Sequence, residues 1–323
     1  MFKSVWQAIA ESKSIVLASH VNPDCDTLGC ALAMFDVLRN MNKEAFLFNA
    51  TEKLPLKLRF LPNFEYISSQ LPNNFDTLVV FDCAKFERTN LDINRLGQKI
   101  INIDHHLTNS NFGDLNLVAA EFSSACMVVF EMLKTNGVKI SAKAATCLYA
   151  GNIDDTGFFA YGNVNAKTFI NSAELIDLGA NPIYISKQLK QSVPLARFRL
   201  KEHVMQTVDL LKNGKVGLVI IRQDDLKRSG ARREDTEDII NIVRDLASVE
   251  LAIMILEEED GSFKISLRSK NYLDVSKIAL KFGGGGHFGA AGFESKITNT
   301  DVIVSMVLNE FDEGTTEYEK KSE

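Results

Sequence analysis

Two short runs, Thr77 to Phe81 (TLVVF) and Lys99 to Ile103 (KIINI), constrain the fold more than any other feature of the chain. Both are nearly continuous apolar stretches rich in β-branched residues, the pattern of strands buried on both faces of a parallel sheet. Ser14 to Ser19 (SIVLAS) and Glu44 to Phe48 read as two more strands. Helical patterning over Thr27 to Met41, Ser124 to Asn136, Ser141 to Ile153 and Ala166 to Leu178 supplies helices between and after them. Alternation of this kind predicts an α/β fold whose N-terminal domain, residues 1–192, is a doubly wound and mainly parallel sheet. At 323 residues the chain exceeds what one core usually organises, so a second domain is expected. Residues 193–211 keep helical periodicity without turn residues and read as a connecting helix. A smaller α/β substrate-binding unit over 212–311 follows, with strands at Lys215 to Ile221, Glu250 to Leu256 and Phe263 to Arg268 and helices near Asp235 to Ala247 and Asp274 to Phe282. The polar tail 312–323 is expected to fray.

Composition removes several classes of function. No apolar run reaches the ~18 residues of a membrane span, and the first residues mix charge into their apolar stretch, which predicts a cytoplasmic protein without a signal peptide. The five cysteines, Cys25, Cys30, Cys83, Cys126 and Cys147, form an odd set without metal-type spacing and read as reduced thiols. With 36 Lys and Arg against 42 Asp and Glu, the net charge of −6 argues against clamping a long duplex. Any nucleic acid partner is therefore short. The densest basic stretch, Arg222 to Arg233, is interrupted by Asp224 and Asp225 and reads as a solvated loop.

The acids and histidines fall where such a sheet places its ligand crevice. His20, Asp24 and Asp26 follow the first strand, Asp82 follows TLVVF, and Asp104, His105 and His106 end KIINI. Asp154 and Asp155 follow the apolar segment CLYAGNI. Singly, an aspartate after a strand usually caps a helix, and adjacent histidines usually pack. Together they form a site where carboxylates would repel and desolvate one another unless cations neutralise them. Two divalent ions supply about the right charge. Oxygen-rich donors with one or two imidazoles favour Mn²⁺ over Mg²⁺, Fe²⁺ or Co²⁺, and paired ions about 3.5–4 Å apart serve in-line displacement at phosphorus.

The set HVNPDCDTLG, VVFDCA, NIDHHLTN and NIDDTG, followed by GGGGHFGAAGF, resembles the DHH phosphoesterase superfamily with its DHH-associated C-terminal domain, from about Ser14 to Phe293. Size and motif order are similar to the stand-alone bacterial nanoRNase and pAp phosphatase (NrnA-like) group rather than the longer RecJ exonucleases. The resemblance implies that His20 and Asp24 bind one metal, Asp26 and His105 the other, and that Asp82 and Asp155 contribute to both. It further implies that His106 contacts the scissile phosphate and protonates the leaving oxygen, that Asp104 orients the imidazoles, and that Asp154 is a bystander. Three positions depart from the family pattern: Cys25 stands for Gly, Cys30 for Ser, and Phe158 for an Arg frequent in NrnA-like members.

A glycine run lets backbone N–H groups approach an anion, although a hinge or packing turn is the commoner reason for one. Because the family's second domain holds substrate, Arg268, Gly285, Gly286 and His287 are assigned to the non-scissile end of the nucleotide, with Arg232 and Arg233 as weaker candidates. The resulting expectation is a Mn²⁺-dependent hydrolase that cleaves short RNA and DNA oligonucleotides and linear dinucleotides to mononucleotides and removes phosphate from pAp. The alternatives are a phosphodiesterase for c-di-AMP or pApA, and an inactive nucleotide-binding sensor. Neither long duplex nor membrane is expected as a partner; the sequence leaves the oligomeric state open, and the resemblance admits a homodimer because the family often forms one.

Overall fold

The apolar runs of the N-terminal half become strands, and the order in which they assemble fixes where a ligand can bind. A computed structural model describes residues 1–93, 97–190, 193–236 and 238–322. The chain divides into two compact units, residues 1–192 and 193–323. In the first unit β1 (Ser14–Ala18), β2 (Glu44–Phe48), β3 (Ile67–Ser68), β4 (Thr77–Phe81), β5 (Lys99–Asp104) and β6 (Leu115–Val118) form one sheet in the order 3-2-1-4-5-6. All of its neighbouring pairs are parallel. The winding direction reverses between β1 and β4. Such a switch point opens a crevice outside the carboxyl ends of those two strands.

The helices of this unit are α1 (Phe2–Glu11), α2 (Cys25–Asn40), α3 (Ala125–Thr135), α4 (Ala142–Asp155), α5 (Ala166–Asp177) and α6 (Pro182–Lys190). Alternate strand residues serve two cores. Ile15, Leu17, Val79, Phe81, Ile101 and Ile103 pack with the apolar faces of α1 to α4. Val16, Ala18, Leu78, Val80 and Ile100 pack on the other side with Phe48, Cys83 and Phe86, under loops and 3-10 turns. Every residue of β4 is buried, as its unbroken apolar run predicts. All five cysteines are free thiols within the buried core.

The second unit contains α7 (Leu195–Met205), β7 (Asp209–Leu211), β8 (Val216–Ile221), α8 (Gln223–Ser229), α9 (Ile239–Arg244), β9 (Leu251–Glu257), β10 (Phe263–Ser269), α10 (Val275–Lys281), β11 (Gly285–His287), β12 (Ala290–Ser295) and α11 (Thr300–Ser322). Its six-stranded sheet has the order β11-β12-β10-β9-β8-β7. Only the β8–β9 pair is parallel among its described pairs. The connecting helix expected over 193–211 is shorter: it stops at Met205, and Asp209–Leu211 instead pairs antiparallel with β8. Leu200 and Val204 bury against β8 and β9, so this helix belongs to the second core rather than bridging as a free rod. The backbone of α11 runs on through the polar tail to Ser322. No helix among the described residues is long and apolar enough to cross a membrane.

Candidate metal centre

Each strand end delivers its side chains by a local device. After β1, the Asn49 carboxamide donates to Ser19 Oγ (2.7 Å) and to the His20 carbonyl (2.9 Å), fixing the chain as it leaves the sheet. His20 Nδ1 meets the Val21 carbonyl at 2.9 Å, which holds the Nδ1–H tautomer and turns the Nε2 lone pair toward the acids. Asp24 is the N-cap of α2: its Oδ1 accepts from the N–H groups of Asp26 and Thr27. Its other oxygen, Oδ2, lies 3.7 Å from His20 Nε2. The capping role and the site role therefore share one carboxylate.

Asp26 sits in the first turn of α2 and receives the N-terminus of α3, with Ala125 N–H at 2.7 Å and Cys126 N–H at 2.9 Å on its two oxygens. A helix N-terminus favours a negative charge there. Close approach of α4 makes the arrangement possible, since a Cβ at Gly151 would stand 2.4 Å from Cys126 Sγ and 3.0 Å from the Asp26 carboxylate. Asp82 follows β4 with φ of 51°, a left-handed conformation that a non-glycine residue adopts only under constraint. Asp104 ends β5 and takes the His105 N–H and His106 Nδ1 on one oxygen, each at 2.7 Å. Its second oxygen accepts from Asn109, whose carboxamide also donates to the Cys83 carbonyl at 3.1 Å.

Of the overlapping donor groups that result, two adjoin and together hold all six expected ligands. His20, Asp24 and Asp82 form the first, and Asp26, His105 and Asp155 the second. Asp82 joins them: its carboxylate lies 3.7 Å from His20 Nε2, 3.5 Å from His105 Nε2 and 3.4 Å from His106 Nδ1. His105 Nε2 is also 3.9 Å from Asp26 and 3.8 Å from Asp155. All six side chains expected to ligate metal thus converge on one end of the sheet. Asp155 stands in the second group and not in the first, a difference from its expected sharing. It also comes from the last turn of α4, a helix end rather than a strand end.

Electrostatics show what this crowding costs. Burial, with the charges of Asp26, Asp24, Asp104 and Asp155, pushes the Asp82 carboxyl far above the usual range. Burial and the same kind of repulsion raise Asp155 to about 9. Asp26 is raised too, chiefly by burial. Asp24 behaves oppositely: burial opposes its charge, but His20, the Thr27 N–H and Arg88 outweigh it and hold the group at about 2. Asp104 is likewise lowered, burial being overcome by His106, Asn109 and the His105 N–H.

A cation pair fits these donors. Asp82 Oδ1 is buried without a hydrogen-bond partner, which is costly unless something positive completes it. The separations between the Nε2 atoms of His20 and His105 and the facing carboxylates, 3.5–3.9 Å, exceed hydrogen-bond length and leave the facing lone pairs for a shared ion. The geometry gives the chain acidic and imidazole groups able to hold metal ions.

In the second unit, the register puts Arg268 opposite Ala290, and His287 opposite Ala290 from the other side. The side chain of His287 lies outside the described residues. The glycine run divides by cause. A Cβ on Gly284 would come within 2.1 Å of the Gly292 carbonyl, and one on Gly286 within 2.5 Å of the Ala290 carbonyl, so both are required by strand packing. Gly286 thereby has a structural reason that its expected binding role did not need. Gly285 has none: a Cβ there meets nothing within 4 Å. Arg233 grips Glu258 through Nε and NH2 at 2.7–3.0 Å, and Arg232 NH1 lies 3.6 Å from Glu234, so both weaker candidates are engaged at the surface.

Two residues of the site went unnoticed in the sequence. Asn109 lies inside the NIDHHLTN segment and anchors Asp104. Asn163 donates to the Ser123 carbonyl at 2.8 Å and to the Asp155 carboxylate at 3.3 Å, tying that acid to the approach to α3. Neither residue type carries reactive chemistry, so only their position could have flagged them.

A sheet wound in this order, with two aspartate and histidine groups sharing Asp82 at its switch point, defines a hydrolase of phosphate esters, and the chain belongs to the DHH phosphoesterase family. The model of the DHH family N-terminal domain matches residues 14–152, and that of the DHHA1 domain matches residues 214–313. The chain is 33% identical over 297 residues to the bifunctional oligoribonuclease and PAP phosphatase NrnA of Thermus thermophilus, covering 91% of this chain and 88% of that protein. It is 28% identical to the Bacillus subtilis protein of the same name, covering 86% and 88%. An exopolyphosphatase-related protein from Bacteroides fragilis shares the fold with a TM-score of 0.88 at 24% identity, over 98% of this chain and 96% of that one.

Proposed function

We propose that this protein is a phosphoesterase that uses two divalent ions, Mn²⁺ by preference, to hydrolyse short oligoribonucleotides and linear dinucleotides to mononucleotides and to remove phosphate from pAp. The observation that carries the reading is the pair of donor groups joined by Asp82. The first ion is assigned to His20, Asp24 and Asp82, and the second to Asp26, His105 and Asp155, with Asp82 shared. Divalent cations in such a site offset charge on phosphoryl oxygens and lower the pKa of water toward neutrality. The relatives named for oligoribonuclease and PAP phosphatase activity support the substrate class.

His106 is assigned the proton transfer. Asp104, kept ionised, holds the proton on Nδ1, so Nε2 is the atom through which the ring gives a proton to a leaving oxygen. Arg268, Gly285, Gly286 and His287 are assigned to the far end of the nucleotide. The two glycines with different surroundings give a direct check. Gly284→Ala should destabilise the fold by about 1–3 kcal/mol through overpacking. Gly285→Ala, with open space for its methyl, should leave the melting temperature unchanged and raise KM about tenfold, or 1.4 kcal/mol. Equal KM for Gly285→Ala and the parent enzyme would remove Gly285 from the substrate site.

The reading is tested by incubating the protein with pAp, pApA, c-di-AMP, a 5′-phosphorylated RNA trimer and pyrophosphate, each with Mn²⁺, Mg²⁺ and Co²⁺. Mononucleotide release from the trimer and phosphate release from pAp are expected, fastest with Mn²⁺. Consumption of pyrophosphate alone would overturn it, and preference for c-di-AMP would move the function to cyclic dinucleotide turnover.

A further inference from the structure

A substrate carrying several phosphates must approach a site crowded with carboxylates, and two cations beside that site, Arg88 and Lys190, make no ion pair with a carboxylate among the described residues. Arg88 lies in the 3-10 turn Phe86–Thr89 that follows Asp82. Its carbonyl accepts the Val21 N–H at 2.8 Å, which seats the turn against the residue next to His20. The Arg88 side chain is exposed, and no ion pair or side-chain hydrogen bond of it occurs among the described residues. The turn leaves the strand end that carries Asp82 and is tied to the residue after His20, which sets Arg88 beside the first donor group.

Lys190 marks the other end. It is the last residue of α6, and its ammonium stands 3.5 Å from the centroid of the Phe158 ring. That ring contact is its only described side-chain interaction. Phe158 belongs to the turn that follows Asp155, in which Gly157, Phe158 and Phe159 all have φ between 55° and 64°. Two consecutive aromatic residues in the left-handed region are strained and persist only where their surroundings hold them. Here the Phe158 N–H donates to the Ile153 carbonyl at 2.7 Å, and the Phe159 ring stacks on Phe169 at 5.1 Å. The turn therefore presents the Phe158 face, and the ammonium over it, at a fixed place beside the second donor group. A cation held over a ring, with no carboxylate paired to it among the described residues, is already positioned for an anion.

We infer that Arg88 and Lys190 are specificity-determining residues that bracket the carboxylate cluster and hold phosphate groups of the substrate other than the one being cleaved. This rests on the phosphoesterase reading above and extends it to residues of the first unit. A planar guanidinium suits two-point contact with a phosphate, and an ammonium suits a single charge contact. A 5′-phosphorylated trinucleotide has two non-scissile phosphates for the pair, whereas bis(p-nitrophenyl) phosphate has none.

The test compares Arg88→Ala, Lys190→Ala and the double variant with the parent enzyme on these two substrates under saturating Mn²⁺. Each single change should lower the ratio of kcat/KM for the trimer to kcat/KM for bis(p-nitrophenyl) phosphate about tenfold, a loss of one phosphate contact worth 1.4 kcal/mol. Lys190→Arg should restore most of the ratio. Equilibrium binding of a fluorescent phosphorothioate trimer gives a readout independent of turnover and should weaken by the same factor. Ratios and affinities within twofold of the parent overturn the inference while leaving the phosphoesterase reading intact. A parent protein that cleaves neither substrate overturns that reading, and the binding data then still decide the role of the two cations.

Discussion

Asp82→Asn is expected to lower kcat/KM for every substrate by about 10³-fold or more, the scale seen when a group that stabilises transition-state charge is removed. Asp82 is the residue through which the two donor groups meet, within 3.7 Å of His20, His105 and His106. An amide in its place keeps the shape and loses the anion. Asn is a better test than Ala because the backbone at this position is left-handed, at φ 51°, and Asn tolerates that region. The fold should not suffer. Burial and four neighbouring acids already press Asp82 toward its neutral form, so removing its charge relieves repulsion in the metal-free protein. The variant should therefore melt at or above the parent temperature in EDTA while showing almost no turnover with Mn²⁺. Activity within tenfold of the parent would mean that Asp82 does not hold the two groups together.

The strands that carry this site were readable from the chain because they are buried on both faces and have little choice of residue. TLVVF and KIINI allow only an apolar reading, and the acids that follow them interrupt the pattern where the sheet ends. The edges were less legible. β3 is two residues long and β6 is the half-polar LNLV, so neither rises above its loops by pattern alone. Asp24 shows how two readings can both hold: its Oδ1 caps α2 while Oδ2 faces His20. Asn109 and Asn163 act through hydrogen bonds to Cys83 and Ser123, 26 and 40 residues away in sequence, and separations of that kind leave no periodic trace. The same limit applies to the glycine run. Four identical residues in sequence have different neighbours in space, and only those neighbours distinguish Gly285 from Gly284 and Gly286.

Removing metal should make stability fall as pH rises, opposite to the usual behaviour of a protein whose carboxylates are ion-paired. Asp155 titrates near 9 against an ordinary value of 3.8, and Asp82 and Asp26 are raised as well. Between about pH 4 and pH 9 Asp155 stays protonated in the folded metal-free protein but ionises once unfolding exposes it to water, and the raised Asp82 and Asp26 shift the balance in the same direction. The folded state then binds more protons than the unfolded state, so each step up in pH favours unfolding across that window. Asp24 and Asp104, which are lowered, act with the opposite sign, but only in the acid range below about pH 4. Divalent ions reverse the balance because they bind the ionised carboxylates and displace the protons. Thermal melts at pH 6, 7 and 8.5, with EDTA and with Mn²⁺, should show a metal-free melting temperature that declines and a gap between the two conditions that widens. A gain of about 5 °C or more in that gap is expected, since 1 kcal/mol moves a domain of this size by about 2–4 °C. Asp82→Asn should flatten the metal-free slope, because it removes one of the protons that make it. A metal-free melting temperature that stays level or climbs between pH 6 and 8.5 would show that the carboxylates are not held in mutual repulsion, and the case for cations as their partners would go with it.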